Sequence, residues 1–337
     1  MTPDGSAQDA QDFAGRPTAA DIQRLFLPLP PRYTRHEIAS AAEIPQELAE
    51  RIWRALGFAT LADDAVAFTD ADLRALTRIK AILDAGLLDE ITLIRMTRAL
   101  GRTTARLAQW QAEIMIGAML NPHGTPTDAD LARVMRAAHL LLPDFERTLV
   151  HVWRAQLAAS AGRQLALTEV GEHRTTLAVG FADLVAFTRV SRELDEPALA
   201  DLVEGFESRA SDVVAQHGGR LVKTLGDEVL FTATEPESAA RMTLDLVDAL
   251  GQGDPGVRIG LAYGQVLPVM GDVFGTTVNL AARLTAIARP GSVVADSALA
   301  EHVTGLPGIE VVKIRRRPAR GLGLIQPYVL RRGPGPA

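Results

Sequence analysis

Two hydrophobic rhythms divide this chain. Up to about residue 160, apolar positions recur every three or four residues, the spacing of amphipathic helices. Leu73, Leu76, Ile79 and Leu83 follow Thr69-Asp70-Ala71-Asp72, which reads as a capping box, and Gly86 ends that helix. Leu93, Met96, Leu100, Leu107, Trp110, Ile114 and Met115 trace a second helix. Pro122, Gly124 and Pro126 interrupt it, and Thr127-Asp128-Ala129-Asp130 caps a run through Leu131, Val134, Met135 and Ala138. Pro143 predicts another break before Leu149, Val152 and Trp153. The pattern predicts a mobile tail over 1–20, an all-α domain over 21–160 and a linker over 161–173.

Past that linker the rhythm changes to short apolar runs alternating with helical ones. Strands are expected at Thr175 to Phe181, Val257 to Val269, Ser292 to Ala295, Ile309 to Arg315 and Ile325 to Leu330. Helices are expected at Pro197 to His217, Pro236 to Leu250 and Thr277 to Ala288. In the middle, Leu221-Val222 and Val229-Leu230-Phe231 flank Gly226-Asp227, a strong hairpin signal. The order is that of an α+β, ferredoxin-like domain over 174–331, with a short tail at 332–337.

Composition narrows the class. The 337 residues are 47% hydrophobic, enough for two cores, and contain no cysteine, which excludes disulfides and thiolate metal sites. A net charge of -6 argues against a nucleic-acid binder. No apolar run is long enough to span a membrane and no signal peptide opens the chain, so a cytoplasmic protein is expected. Thr34-Arg35-His36-Glu37-Ile38, the helix from Pro45 to Leu56, and Phe68 to Leu73 resemble a winged helix-turn-helix. Glu47 and Glu50 in its second helix, and Asp63 and Asp64 in its wing, make it a reused scaffold rather than a DNA reader.

Three stretches carry candidate chemistry. Asp183 closes an apolar strand in Phe181-Ala182-Asp183-Leu184-Val185-Ala186-Phe187-Thr188. Paired with Asp227 on the hairpin turn, it offers hard oxygen ligands suited to Mg²⁺ shared with phosphates. Backbone N–H groups from Leu184 onward, among them those of Phe187 and Thr188, open the next helix and can hold phosphate oxygens. Asn279 and Arg283, four residues apart in Gly271-Asp272-Val273-Phe274-Gly275-Thr276-Thr277-Val278-Asn279-Leu280-Ala281-Ala282-Arg283, share one helix face. A planar, permanently charged guanidinium there suits a phosphoryl transition state.

Together these stretches resemble the catalytic motifs of class III nucleotidyl cyclases, and the whole chain resembles adenylate cyclases with an N-terminal helical regulatory domain. The resemblance implies conversion of ATP to cyclic AMP and pyrophosphate, with two Mg²⁺ or Mn²⁺ ions per site on Asp183 and Asp227. It implies base reading by Lys223 and Asp272, ribose positioning by Asn279, transition-state stabilisation by Arg283, and a homodimer with two shared sites. Ala186 stands where a glycine is common, and its methyl group is expected to be tolerated. Relatives carry a phosphate-binding lysine near Arg320-Gly321-Leu322-Gly323, so Arg320 is the candidate there. The regulatory domain is expected to take a small or apolar ligand. The competing readings are a diguanylate or guanylate cyclase, a decayed cyclase fold used for binding, and a helix-turn-helix regulator.

Overall fold

A computed structural model describes residues 16–27, 29–59, 61–119, 125–168, 175–251 and 255–334. Contacts divide the chain into two compact units, Met1–Ala159 and Ser160–Ala337.

The first unit is helical: α1 (Ala19–Phe26), α2 (Arg35–Ala41), α3 (Gln46–Leu56), α4 (Asp70–Asp84), α5 (Glu90–Met119) and α6 (Asp128–Thr168, which runs on into the second unit). Thr18, Thr34 and Thr69 each start a helix through a capping box, accepting from the third residue's N–H while that residue's carboxylate reaches back. Ile38, Leu48, Ile52, Leu76, Leu93 and Ile94 form its core, with Trp53 stacked on Phe68 at 4.4 Å. Helix α5 meets α3 at Gly101, where a β-carbon would lie 2.4 Å from the Leu56 carbonyl oxygen.

Three sequence expectations are corrected here. Pro143 lies inside α6 and does not break it. Proline removes one backbone bond, and strong helix formers on both sides of a 41-residue helix outweigh that loss. The same helix runs through Gly162 to Thr168, so the first part of the expected linker is helical. Helix α1 begins at Ala19, inside the expected tail, whose residues 1–15 lie outside the described residues, as do 169–174 of the linker.

The second unit holds β1 (Thr175–Leu184), α7 (Phe187–Glu193), α8 (Glu196–Gln216), β2 (Arg220–Thr224), β3 (Glu228–Ala233), α9 (Pro236–Leu250), β4 (Val257–Val269), β5 (Asp272–Phe274), α10 (Thr276–Ile287), β6 (Ser292–Ala295), α11 (Ser297–Val303), β7 (Ile309–Lys313), β8 (Arg317–Ala319), β9 (Gly323–Ile325) and β10 (Tyr328–Arg332). The main sheet runs β2-β3-β1-β4-β6-β10-β7, with β5 folded back on β4. Every pairing is antiparallel except β4 with β6. Helices α8, α9 and α11 bury one face through Phe206, Val214, Leu246 and Leu299. On the other face, α10 packs through Ala281 and Leu284. It lies so close to β4 that a β-carbon on Gly260 would stand 2.1 Å from the Thr285 nitrogen. This asymmetry leaves part of one sheet face available for chemistry.

Candidate active site

Directly opposed residues in neighbouring strands share a sheet face. Asp183 on β1 lies opposite Glu228 on β3 and opposite Arg258 on β4. Its neighbours Val179 and Phe181 pack with Leu284, so all three charged groups stand on the α10 face. Asp183 Oδ2 accepts from Arg258 Nε at 2.6 Å. Burial raises the pKa of Asp183; Arg258 opposes this and the charge of Asp227 adds to it. Glu228 is pushed up to about 7, first by burial and then by the charges of Asp183 and Asp227, against a smaller pull from Arg258 and Lys223.

That shift has a measurable consequence. In the unfolded chain Glu228 ionises near 4.5, so folding holds a proton that the unfolded state releases. The stability tied to that proton is full below about pH 4.5 and is lost as pH rises toward 7. Glu228→Gln removes the penalty. With chelator present, the variant should match the wild type at about pH 4 and exceed it by on the order of 1–2 kcal/mol at pH 8, after discounting for solvent screening. Urea melts at the two pH values check this; equal stability at pH 8 would remove the pocket's strain from the account.

The hairpin carries a device the sequence did not reveal. The register of β2 on β3 shifts between Leu221, opposite Phe231, and Lys223, opposite Leu230. Val222 is thus the extra residue of a β-bulge, which re-aims the side chain that follows. Phe231 belongs to the core under α8 and α9, whereas Leu230 belongs to the core under α10. The bulge therefore turns Lys223 onto the α10 face. There its Nζ donates to Asp272 Oδ2 at 2.5 Å, joining β2 to β5. Asp272 Oδ1 accepts from the Val273 N–H at 2.8 Å. Burial pushes the Asp272 carboxyl up, but the bonds from Lys223 and Val273 outweigh it and hold its pKa below the ordinary range. Arg220 braces the same corner by donating to the Gly271 carbonyl.

The turn after β1 differs in part from expectation. The Leu184 N–H is taken by the Asp227 carbonyl at 2.9 Å and the Val185 N–H by the Gly256 carbonyl at 2.7 Å. Neither is free for a phosphate, which leaves the first N–H groups of α7, those of Phe187 and Thr188, as the candidates. Ala186 caps α7 at φ +57°, in the left-handed region that costs an L-residue about 1–2 kcal/mol. The methyl group is accommodated at a cost. Ala186→Gly should raise stability by about 0.5–1 kcal/mol, the relief being partly offset by unfolded-state entropy. An unchanged or lowered urea midpoint would contradict this.

Asn279 and Arg283 share the outer face of α10, both exposed, while Ala281 and Leu284 on its inner face are buried. Neither polar side chain has a hydrogen-bond or ion-pair partner among the described residues. Among the described residues no hydrogen bond or ion pair ties either of them to Asp183 of the same chain. Arg320 is exposed at the turn between β8 and β9, likewise without a carboxylate partner among the described residues. The sequence pattern singled out neither Arg258 nor Glu228. Their signal is a charge inside or beside a strand that pairs with Asp183, and it needs the register to be seen.

Among the described residues no group of three His, Cys, Asp or Glu side chains is placed to cage a metal ion. The Asp183 and Asp227 carboxylates, the first with its pKa raised by burial and further by the other's charge, nonetheless fit a dication that completes its shell with substrate phosphates.

A mixed sheet that carries acidic and basic groups on its α10 face, in a chain whose first unit is helical, matches the architecture expected of a class III nucleotidyl cyclase. Residues 170–331 match the adenylate and guanylate cyclase catalytic domain, and residues 32–158 match the adenylate cyclase regulatory domain. The chain is 41% identical to an adenylate cyclase of Streptomyces coelicolor, over 98% of this chain and 93% of that one. It is 44% identical to an adenylate cyclase of Streptomyces griseus over 85% and 72%. A pH-sensitive adenylate cyclase of Mycobacterium tuberculosis is 30% identical over 88% and 77%. Among solved structures, the adenylyl cyclase CyaB from P. aeruginosa covers 48% of this chain and 95% of its own, with 22% identity and a TM-score of 0.43. The chain belongs to the class III adenylate cyclase family, in the group that joins this regulatory domain to the catalytic one.

Proposed function

We propose that the protein converts ATP to 3′,5′-cyclic AMP and pyrophosphate in two sites, each shared between two copies of the chain. The observation that carries the substrate choice is the Lys223–Asp272 pair, a donor and an acceptor aligned side by side. Asp272 accepts from the adenine amine and Lys223 donates to the neighbouring ring nitrogen. Guanine reverses both demands, with an oxygen acceptor and a ring N–H donor, so GTP would meet two mismatched groups here.

Asn279 orients the ribose, and Arg283 spreads positive charge over the crowded phosphorus. The 3′-oxygen forms a bond to the α-phosphorus, the bond from that phosphorus to the bridging oxygen breaks, pyrophosphate leaves, and the 3′-hydroxyl proton passes to solvent. Phe187 and Thr188 N–H groups and Arg320 hold phosphate oxygens. Asp183 and Asp227 would hold two Mg²⁺ or Mn²⁺ ions, which neutralise the phosphates and acidify the 3′-hydroxyl when bound. Exposed Leu267, Val269, Met270 and Phe274 around the β4–β5 corner support a dimer, because apolar groups clustered in this way favour burial against a second copy.

The regulatory unit supports a small apolar ligand through a cavity of about 350 Å³ lined by Leu27, Trp53, Phe58 and Phe68, with Arg35 at its wall. The reading as a whole is tested by incubating the protein with ATP and Mn²⁺ and separating products by chromatography. Cyclic AMP is expected. A linear or cyclic dinucleotide from GTP, or no turnover of any nucleotide, would overturn it.

A further inference from the structure

The segment from Lys313 to Arg320 concentrates charge that, Arg320 apart, the proposed reaction does not use. Lys313, Arg315, Arg316, Arg317 and Arg320 place five cations in eight residues of a chain whose net charge is -6. All five are exposed. Among the described residues none has a carboxylate within ion-pairing distance, whereas nearby Arg332 is held by both Asp245 and Asp248.

The cations sit on a fixed scaffold. The Ile314 N–H donates to the Pro327 carbonyl at 3.2 Å, and the Gln326 amide donates to the Ile314 carbonyl at 2.6 Å, closing the stem. Strands β8 and β9 then form a separate hairpin with Pro318 opposite Leu324. Both are exposed, Leu324 to 62%. The hairpin thus offers an apolar edge beside a row of uncompensated guanidinium groups.

We propose that this hairpin docks the protein onto an anionic phospholipid surface. Like charges held together without counter-charges repel one another, and a partner bringing negative charge relieves that repulsion. Each Lys or Arg near an anionic membrane gains about 1 kcal/mol, and an exposed leucine adds apolar burial at the headgroup boundary. A soluble polyanion would match the arginines but leave Leu324 in water, which favours the membrane. Among the described residues no helix is long and apolar enough to cross a bilayer, so the docking is peripheral.

Full-length protein should sediment with vesicles of phosphatidylglycerol and phosphatidylcholine and not with phosphatidylcholine alone, and salt should release it. Because Arg320 belongs to the proposed nucleotide site, the test uses the other arginines. Arg315→Gln, Arg316→Gln and Arg317→Gln together should weaken vesicle binding about 100-fold, at about 1 kcal/mol for each lost charge. Their ATP turnover without vesicles should be unchanged. Leu324→Ser should weaken binding about tenfold. Should the triple variant fail to melt cooperatively, Arg316→Glu alone should still weaken binding by more than about tenfold. Wild-type protein that ignores anionic vesicles overturns the proposal, as does a folded triple variant that binds them equally well. A raised KM for ATP with vesicle binding intact would assign the arginines to the nucleotide instead. Heparin binding with no effect of Leu324→Ser on vesicles would reduce the hairpin to a general polyanion site.

Discussion

Asp183→Ala protein and Asn279→Ala protein, each inactive alone, should recover activity when mixed. Asp183 is sunk at the end of β1 with its side chain 14% exposed, tied to Arg258. Asn279 and Arg283 are exposed on α10, with no hydrogen-bond or ion-pair partner among the described residues. On the proposed shared-site reading, nucleotide held at the Asp183 pocket meets the outer face of the other copy's α10. A two-fold dimer is the simplest closed arrangement that supplies it, and it builds two such sites. In an Asp183→Ala homodimer both sites lack a metal ligand; in an Asn279→Ala homodimer both lack the ribose contact. In the mixed dimer one site collects both lesions and the other collects none. Up to roughly half of wild-type activity per heterodimer should return. Subunit exchange is followed with two affinity tags, and activity is measured on the doubly purified species. Purified heterodimer that remains inactive would mean that each chain builds its site alone, and the exposed Asn279 and Arg283 would need another role.

Much of the fold was legible in the sequence, for reasons that lie in particular residues. Gly226 takes a positive φ of 74° at the hairpin turn, as expected for a glycine between two apolar strands. Thr69 caps α4 as its Thr-x-x-Asp pattern requires. What stayed hidden depends on pairing register. Leu221 and Val222 are both apolar because each packs into a different core, so the sequence shows no alternation from which a bulge could be read. Arg258 looks like an ordinary strand charge until β4 is laid beside β1 and it falls opposite Asp183. The N–H groups of Leu184 and Val185 look available until Asp227 and Gly256 are seen to take them. Pro143 and Gly162 misled in the other direction, since both are local breakers inside a helix set by its long flanks.

Replacing Lys223 by Glu and Asp272 by Cys should lower ATP turnover by about two to four orders of magnitude. The two side chains are not independent contacts. Lys223 reaches the α10 face only because of the bulge at Val222, and there it is bonded to Asp272 at 2.5 Å. Each is partly buried, so each holds the other's charge. Removing one polar contact of this kind costs on the order of 1–3 kcal/mol, and more when a charged partner is left unpaired. Lys223→Glu alone sets two carboxylates against each other and should disturb the β2–β5 corner as well as base binding. Asp272→Cys alone leaves the ammonium without its acceptor. The double variant relieves part of both penalties, so its loss should be smaller than the product of the two single losses, which a double-mutant cycle measures directly. Thermal melts of all three variants separate collapse of the corner from loss of base recognition. The decisive comparison is kcat/KM for ATP against GTP: the ratio should fall steeply in the double variant while its melting temperature stays near that of the wild type. Unchanged ATP turnover in a folded double variant would take Lys223 and Asp272 out of the base pocket and leave them as a structural clasp between the hairpin and β5.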